Sequence, residues 1–486
     1  MGVGLLRLCA LPRVNHLFRA LSPEATAAFA AGVDGATQDA FVKILTAKLT
    51  TLPQQTQTAL PVRLGGCGLW RCRALRAAAW VGSWLGTLPE VRGLAGPEAA
   101  TREVIEGGSA GWASSLRQAV TALAAGGVHL DQGGGVVRDE PVAAWAWEDG
   151  APVLFQRQRL LSRLGAERDR ERLLGSVGDK ARARVRSCGG VGAGAWLLAA
   201  PTSRAASFTD LEFKVCVRLR LRIPLHIESL GARCRNRRTT EREPGDGSVG
   251  QECRESLDPE SFHALVCSVG GRVVRRHNAL RDVLAALLRE AGYVVDTEVY
   301  EPAWTRARTT VDGRVEVEQA KLDVRLAGPP SDPLVYGGVV VTHPEGTAWR
   351  AAAARTDGAA ANGAAAAKHR RYPAWCLPGG RLVPFAVDTF GRWGHEAETF
   401  LREAAFAACE RSPQLSCLGA AGPAGLLGAW HCRLSAVLQK GNAACVLEAG
   451  RIRDGADLAG DCGWEEDLED LLRQAAAFAA AGGLDG

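Results

Sequence analysis

The hydrophobic pattern divides the chain near Leu211. Up to about residue 110, apolar residues recur at the spacing of amphipathic helices, as in SPEATAAFAAGVDGATQDAFVKILTAKL. Ser22 is placed there to cap a helix that Pro23 opens. Residues 111 to about 208 mix Ala/Gly-rich turns with the basic stretch LFQRQRLLSRLGAERDRERLL, which predicts a helix. These patterns predict a helical N-terminal region and a basic helical connector.

Beyond Leu211, predicted helices and strands alternate. A helix is expected from about Asn278 to Glu290, where Gly292 ends it, and a strand from Tyr293 to Tyr300. Further strands are expected in RVEVEQAKLDVRLA, LVYGGVVVTHP and RLVPFAVDTF, and helices in AAAARTDGAAANGAAAAKHRRY, HEAETFLREAAFAACE and CGWEEDLEDLLRQAAAFAAA. This order predicts an α/β core of sheet flanked by helices.

Composition indicates a globular protein with an arginine-rich surface. The chain has 486 residues, enough for two to four domains, with 47% hydrophobic and 23% charged residues. Its net charge is +5, and only seven of its 58 basic residues are lysines. Basic residues cluster between Arg157 and Arg186 and between Lys214 and Arg238. Two interpretations stay open, an anionic partner and solvated helix faces; the 6% aromatic content does not favour a single-strand stacking platform.

Cysteine usage and hydropathy indicate an intracellular protein. Fourteen cysteines are scattered along the chain, and the start, MGVGLLRLCALPR, lacks the pattern of a signal peptide. A reducing compartment with buried thiols is therefore expected. No apolar run reaches the ~18 residues that a membrane span needs, so no membrane partner is predicted.

A candidate zinc site lies in the segment after Leu225. Cys234, Cys253, His263 and Cys267 form a three-cysteine, one-histidine set that is common at structural zinc sites, and the last two can reach one ion from a single helical turn. The gap between Cys234 and Cys253 is much longer than the usual two to four residues. Unconnected thiols beside a surface histidine are the alternative. Four protein ligands would make the zinc structural.

Two carboxylates lie in predicted strands of the core. Asp323 stands in KLDVRL, where burying a carboxylate is costly unless it binds something, and Glu298 alternates with apolar neighbours in VVDTEVY. Metal-dependent phosphodiesterases hold Mg²⁺ with carboxylates on neighbouring strands and use a lysine to stabilise the phosphorane charge. Asp323 is the best single candidate; an edge-strand aspartate facing water is the alternative.

Several segments resemble a known family. The run FHALVCSVGGRVVRRHNALRDVLAALLREAGYVVDTE, followed by LDV, VVVTHP, AAKHRRY and PFAVDTFGRWG, resembles the C-terminal part of site-specific non-LTR retrotransposon polyproteins. CALPRVNHLFRAL, AFVKIL and LPVRLGGCGLW resemble the stretch after the reverse transcriptase palm. The resemblance implies a thumb-like region, a zinc knuckle, and a restriction-endonuclease-like core with a mixed four-to-five-stranded sheet that nicks target DNA.

The resemblance also implies roles for individual residues. Asp323 stands at the first metal-binding aspartate, Lys368 at a helix-borne catalytic lysine, Glu298 at an accessory acid and Asp388 at an acidic position of the last strand. Where relatives carry the second metal-binding aspartate, this chain has Gly338. A Mg²⁺ site that lacks one of two acids is weak, since Mg²⁺ dehydrates reluctantly.

Five regions follow from these patterns. They are 1–110 (thumb-like), 111–208 (connector), 209–272 (zinc knuckle), 273–410 (endonuclease-like) and 411–486 (helical tail). No Tyr/Phe-x-Asp-Asp sequence occurs, so the polymerase carboxylates are missing from this chain.

Two classes of function remain open at the level of sequence. One is a Mg²⁺-dependent DNA endonuclease impaired at Gly338. The other is a zinc-dependent module that binds DNA or element RNA in the nucleus without cutting it, and a decayed element remnant that folds partly or not at all is a further alternative. The expected phosphate contacts of the module are Arg275, Arg276, Arg370 and Arg371.

Overall fold

A computed structural model describes most of the chain. The described residues are 2–95, 111–128, 157–199, 207–225, 233–237, 251–300, 305–309, 312, 314–318, 321–328, 334–372, 379–411, 422–450 and 452. They form two compact units, one built from residues up to 176 and the other from residue 177 onward. The predicted acidic helix near the C-terminus lies outside the described residues.

The first unit is helical in its described parts. Its α-helices are α1 Gly2–Leu5, α2 Asn15–Ala20, α3 Ala27–Leu45, α4 Leu52–Ala59, α5 Cys72–Ala95, α6 Gly111–Ala125 and α7 Arg157–Ser176. Ser22 lies in a turn, and α3 begins four residues later than Pro23, at Ala27. Apolar side chains of α5, α6 and α7 form one core, in which the rings of Trp84 and Trp112 stack at 4.7 Å. The helical prediction for this region is confirmed.

The second unit is mixed α/β. Its α-helices are α8 Asp179–Cys188, α9 Asp210–Leu221, α10 Phe262–Val266, α11 Arg272–Glu290, α12 Arg350–Ala353, α13 Ala359–Arg371, α14 His395–Arg411 and α15 Gly422–Gly450. Its strands are β1 Val294–Tyr300, β2 Arg306–Thr309, β3 Val315–Glu318, β4 Lys321–Ala327, β5 Leu334–Thr342 and β6 Gly380–Asp388. The run RVEVEQAKLDVRLA therefore contains two strands, whereas the sequence pattern suggested one.

Four of the strands form the main sheet, in the order β1-β4-β5-β6. β4 runs antiparallel to both β1 and β5, and β6 runs parallel to β5. A parallel pair needs a long crossover, which the segment containing α12 and α13 supplies. β2 and β3 pair separately as an antiparallel hairpin. The prediction of a mixed sheet of four to five strands is thus confirmed at four strands.

Helices cover both faces of this sheet. On one face, α11, α14 and α15 pack against alternate strand residues such as Val324, Val339 and Phe385. On the other face, the alanines of α13 pack against Val340 and Ala386. The alanine side chains are small, so α13 lies close to the strands. Its longer side chains lie at the margin of this helix–sheet contact. Lys368 is one of these.

Helix α15 is part of the same hydrophobic core. Its Trp430, Leu434 and Leu438 are almost fully buried beside Leu284 of α11. Burying side chains of this size contributes about 1.5–3 kcal/mol each. The core that holds the sheet therefore includes a helix beyond residue 410, the residue at which the sequence pattern ended the endonuclease-like region. Among the described residues, no helix is long and apolar enough to cross a membrane.

Candidate functional site

Cys234, Cys253, His263 and Cys267 converge on one point. Their ligand atoms all lie within 4.8 Å of one another. Cys267 Sγ lies 3.8 Å from the sulfur of Cys234 and 3.8 Å from that of Cys253, and Cys253 Sγ lies 3.4 Å from His263 Nε2. Around a tetrahedral Zn²⁺, bond lengths of about 2.3 Å to sulfur and 2.0 Å to nitrogen give ligand separations of about 3.8 Å and 3.5 Å. The cluster can therefore hold a zinc ion, as the sequence predicted.

Local backbone structure positions these four ligands. Cys234 and Cys253 face each other across short antiparallel bridges, where Cys253 N–H donates to Asn236 O at 2.8 Å and Arg254 N–H donates to Cys234 O at 2.9 Å. The bridges bring the two cysteines together, so the length of the sequence between them does not separate them in space. The Asp258 carboxylate accepts the backbone N–H of His263 at 3.1 Å and so helps to fix the start of α10.

Without a bound metal ion, burial keeps Cys234 protonated as a thiol. Burial, reinforced by the neighbouring thiols, raises the pKa of Cys234 to about 12. A bound Zn²⁺ would reverse this effect, because it binds and stabilises the thiolate. Four protein ligands leave no open coordination position, which makes the role of such an ion structural.

Asp323 lies at the centre of a second polar cluster, on the main sheet. Its Oδ1 lies 2.8 Å from Nε2 of His277 on α11, and its Oδ2 accepts the backbone N–H of Val339 at 2.9 Å. The carboxylate is 19% exposed and the imidazole 28%, so both are screened from water without being sealed off. Asp323 is therefore held by two neighbours and does not project into open solvent.

The backbone is irregular beside this carboxylate. Val324 and Leu326 pack on the α11 face of the sheet, whereas Leu322 packs with Tyr336 and Tyr372 on the α13 face. The side chains of β4 thus change faces at Asp323. Opposite it on β1, Glu298 has a φ of 55°, in the left-handed region that strand residues rarely adopt. Such irregularities in sheets re-aim side chains and are common next to active sites.

Gly338 and Lys368 complete the cluster around Asp323. A Cβ added at Gly338 would lie 3.2 Å from Lys368 Nζ, and the residue after Gly338 is the one whose N–H binds Asp323. Burial lowers the pKa of Lys368, an effect that the negative charge of Asp323 opposes and Arg371 reinforces. The structure thus brings Asp323, Gly338 and Lys368 together, three positions on two adjacent strands and a covering helix.

Glu298 and Asp388 lie apart from that cluster. The carboxylate of Glu298 forms an ion pair with Arg281 of α11 and is half exposed. Asp388 pairs in the sheet with Thr342, four residues along β5 from Gly338, which corresponds to about 13 Å. Asp388 is also nearly fully buried. Among the residues that the structure describes, only Asp323 therefore supplies a carboxylate at the point where Lys368 and Gly338 meet.

The buried position of Asp388 predicts a pH-dependent stability. Burial raises its pKa to about 7, partly opposed by Ser187 and Arg392. An aspartate of the unfolded chain has a pKa near 3.9, so between about pH 4 and 7 the folded state binds a proton that the unfolded state has lost. The stability that this proton contributes is complete below about pH 4 and is lost as the pH rises to about 7.

We therefore expect Asp388→Asn to change the pH profile of unfolding. Relative to the parent protein, the variant should gain about 4 kcal/mol between pH 4 and pH 8, at about 1.4 kcal/mol for each pKa unit. Urea unfolding at several pH values measures this difference. A difference that does not vary with pH would contradict a protonated Asp388 in the fold.

The four arginines proposed as phosphate contacts differ in their surroundings. Arg370 and Arg371 are exposed in the last turn of α13, which also contains Lys368. Arg275 is also exposed, at 59%, and donates to Gly270 O. Arg276 is buried and donates to Asn442 Oδ1 of α15 at 2.8 Å. The first three can reach a phosphate; the contacts of Arg276 give it a packing role.

Sequence reasoning did not assign a role in the Asp323 cluster to His277. Forty-six residues separate it from Asp323, and its neighbours in RRHNALRD show no pattern typical of a site. The one available signal is the spacing of His277 and Arg281, which places both on the same side of α11. Both side chains indeed reach carboxylates of the adjacent strands, Asp323 and Glu298.

A buried ion pair was also missed. Arg184 of α8 pairs with Glu345, just beyond β5, and both side chains are fully buried. Arg184 also donates to Leu219 O of α9 at 3.1 Å and lies 3.8 Å from Glu260, just before α10. One guanidinium thus links the sheet to the segment that holds the zinc ligands.

Chemically, the second unit combines a closed metal cluster with an open polar cluster. The first can hold a structural ion, and the second, among the described residues, offers one carboxylate, one imidazole and one ammonium beside the inner strands of the sheet, where they are partly exposed. No protein-family model matches this chain, and no curated protein matches it.

Proposed function

We propose that this chain is a nucleic-acid-binding fragment of a site-specific non-LTR retrotransposon polyprotein, with a restriction-endonuclease-like core that nicked target DNA in its ancestor. The observation that carries the proposal is the convergence of Asp323, Gly338 and Lys368. Two adjacent strands and a covering helix are the arrangement in which such enzymes hold two acids and a lysine around a scissile phosphate. The zinc cluster precedes this core in the order that the resemblance implies.

The residues at this point do not fit a tight Mg²⁺ site. Asp323 is the one carboxylate that the described part of the chain places there, Gly338 offers no side-chain ligand, and the Lys368 ammonium adds a positive charge. Mg²⁺ favours oxygen ligands in near-ideal octahedral geometry and gives up water reluctantly. We therefore propose that the chain as it stands binds DNA or element RNA and does not cut DNA efficiently with Mg²⁺.

Basic side chains near the cluster, exposed at Arg370 and Arg371 and half-buried at Lys368, favour a phosphate backbone as partner. Lys368, Arg370 and Arg371 lie within one turn at the C-terminal end of α13. Cations on a single short surface attract an anion more strongly than the same charges spread apart. The negative end of the helix dipole also favours cations at this position.

Binding of a short DNA duplex over a range of salt concentrations tests the proposal. For the full chain, we expect the logarithm of the affinity to fall linearly with the logarithm of the salt concentration. Changing Arg370 and Arg371 together to Ala should reduce that slope by about 0.9 for each phosphate that the variant no longer neutralises. The matched control is Arg402→Ala, which removes an exposed arginine of α14, on the opposite face of the sheet.

Two results would contradict this proposal. One is an absence of binding by the folded parent chain at low salt. The other is an equal change of slope in the Arg402 control, because nonspecific loss of charge would then explain the effect. Repeating the titration with RNA of the same sequence identifies which nucleic acid is bound more tightly.

A further inference from the structure

The Asp323–His277 pair has the geometry of two adjacent ligands of one metal ion. Asp323 Oδ1 and His277 Nε2 lie 2.8 Å apart. Neighbouring ligands of an octahedral ion with bonds of about 2.1 Å lie about 3.0 Å apart. Asp323 is oriented by the Val339 N–H at its other oxygen, the kind of outer contact that fixes a metal-binding carboxylate. Both side chains remain partly exposed, which leaves room for water as further ligands.

We propose that His277 and Asp323 together bind a divalent first-row transition metal, with the imidazole as the second protein ligand beside the Asp323 carboxylate. An imidazole nitrogen is a good ligand for such ions, whereas Mg²⁺ favours oxygen ligands. The site therefore differs in metal preference from a site built of two acids. This inference rests on the proposed function, because it concerns the metal position of the same endonuclease-like core.

A second histidine–carboxylate pair in the same unit supplies a matched control. His369 Nε2 lies 2.7 Å from Glu396 Oε2, but both side chains are more than 40% exposed. The nitrogen–oxygen distances of the two pairs are thus similar. The His277 pair, however, is less exposed to water, and the Val339 N–H orients its carboxylate. Substituting His369 leaves the proposed site intact.

Binding of Mn²⁺ to the full, zinc-loaded chain, followed by electron paramagnetic resonance, tests the proposal. Mn²⁺ serves as probe because it is paramagnetic and, as the weakest binder among the first-row divalent ions, leaves zinc on the thiolates. We expect one Mn²⁺ per chain, bound at least about tenfold more weakly, or 1.4 kcal/mol, in His277→Gln and Asp323→Asn. His277→Gln keeps a hydrogen-bond donor for Asp323 but not the imidazole ligand. His369→Gln should bind as the parent does, and Mg²⁺ should compete only in large excess.

Three results would overturn the inference: no Mn²⁺ bound by the folded parent, unchanged affinity in His277→Gln, or equal competition by Mg²⁺. Thermal unfolding of each variant checks that it is folded. DNA binding measured on the same preparations separates the two proposals. Intact DNA binding without Mn²⁺ binding rejects this inference alone, whereas Mn²⁺ binding without DNA binding rejects the proposed function.

Discussion

Gly338→Asp should convert the chain into a DNA-nicking enzyme in the presence of Mg²⁺. The Cβ of the new aspartate would lie 3.2 Å from Lys368 Nζ, on the strand next to the one that carries Asp323. Gly338 is not among the glycines with a left-handed φ, so an aspartate meets no backbone strain there. Its closest contact is the flexible end of a lysine, which can move by a few tenths of an ångström.

The expected gain follows from the electrostatics of phosphodiester cleavage. A second acid would let the site hold a divalent ion against the scissile phosphate, and single catalytic groups of this kind change rates by about 10² to 10³. Conversion of supercoiled plasmid to the nicked form by the full chain measures the effect. We expect at least about a hundredfold increase over the parent.

Two matched variants make this test specific. Gly338→Asn has nearly the same shape as Gly338→Asp but carries no charge, so it should not increase nicking. Asp323→Asn in the Gly338→Asp background should abolish the gain, because one acid is again missing. Equal nicking by the Asn and Asp variants, or none by a folded Asp variant that binds DNA, would count against an endonuclease-like core.

Neighbouring Gly337 shows why the position of the glycine matters. A Cβ there would lie 2.3 Å from Val324 Cγ2 and 2.9 Å from Phe385, inside the core between sheet and helices. Gly337 thus allows close packing on one face of β5, whereas Gly338 leaves space on the other face. The two glycines of YGGVVV therefore occupy different surroundings. Gly337 is required for packing in the core, and Gly338 faces the polar cluster.

Removing zinc should have the largest effect on stability. We expect the purified chain to contain one zinc ion, held by Cys234, Cys253, His263 and Cys267. Structural zinc contributes apparent binding free energies of about 10–16 kcal/mol in small zinc-binding folds, so this segment should unfold without the ion. The short backbone bridges around Cys234 offer little to replace it.

Elemental analysis and limited proteolysis measure this effect. A strong chelator, or Cys267→Ser, should remove the zinc and make the segment between Cys253 and α11 susceptible to cleavage. Cys432→Ser is the matched control, because Cys432 lies outside the cluster and its Sγ donates to Ala195 O, a bond that a hydroxyl can keep. Retention of one zinc by Cys267→Ser would argue against this ligand set.

Loss of the zinc cluster should also lower the stability of the core that holds the sheet. The backbone N–H of Arg235, next to Cys234, donates to Ala449 O of α15 at 3.0 Å. Cys267 is followed by the turn Val269–Gly271, from which α11 continues to His277. A zinc ion bound at this cluster would thus stabilise the start of the helix whose imidazole contacts Asp323.

The sequence by itself determined the elements of this protein. Periodic apolar positions predicted the helices and most of the strands, because burial of one face depends on local spacing alone. Gly292, with a φ of 87°, ends α11 as expected, since glycine adopts that conformation without strain. The sequence also grouped Cys234, Cys253, His263 and Cys267, which the structure brings together, because cysteine and histidine are few and their chemistry is narrow.

Only the tertiary structure decided which side chains meet. Asp323, Gly338, Lys368 and His277 come from four elements, and no local pattern encodes the strand register and helix packing that join them. The same packing directs Glu298 to Arg281 and buries Arg276 against Asn442, away from the roles suggested by their positions in the sequence. Long-range contacts depend on how whole faces pack together, and that information is distributed over the entire chain.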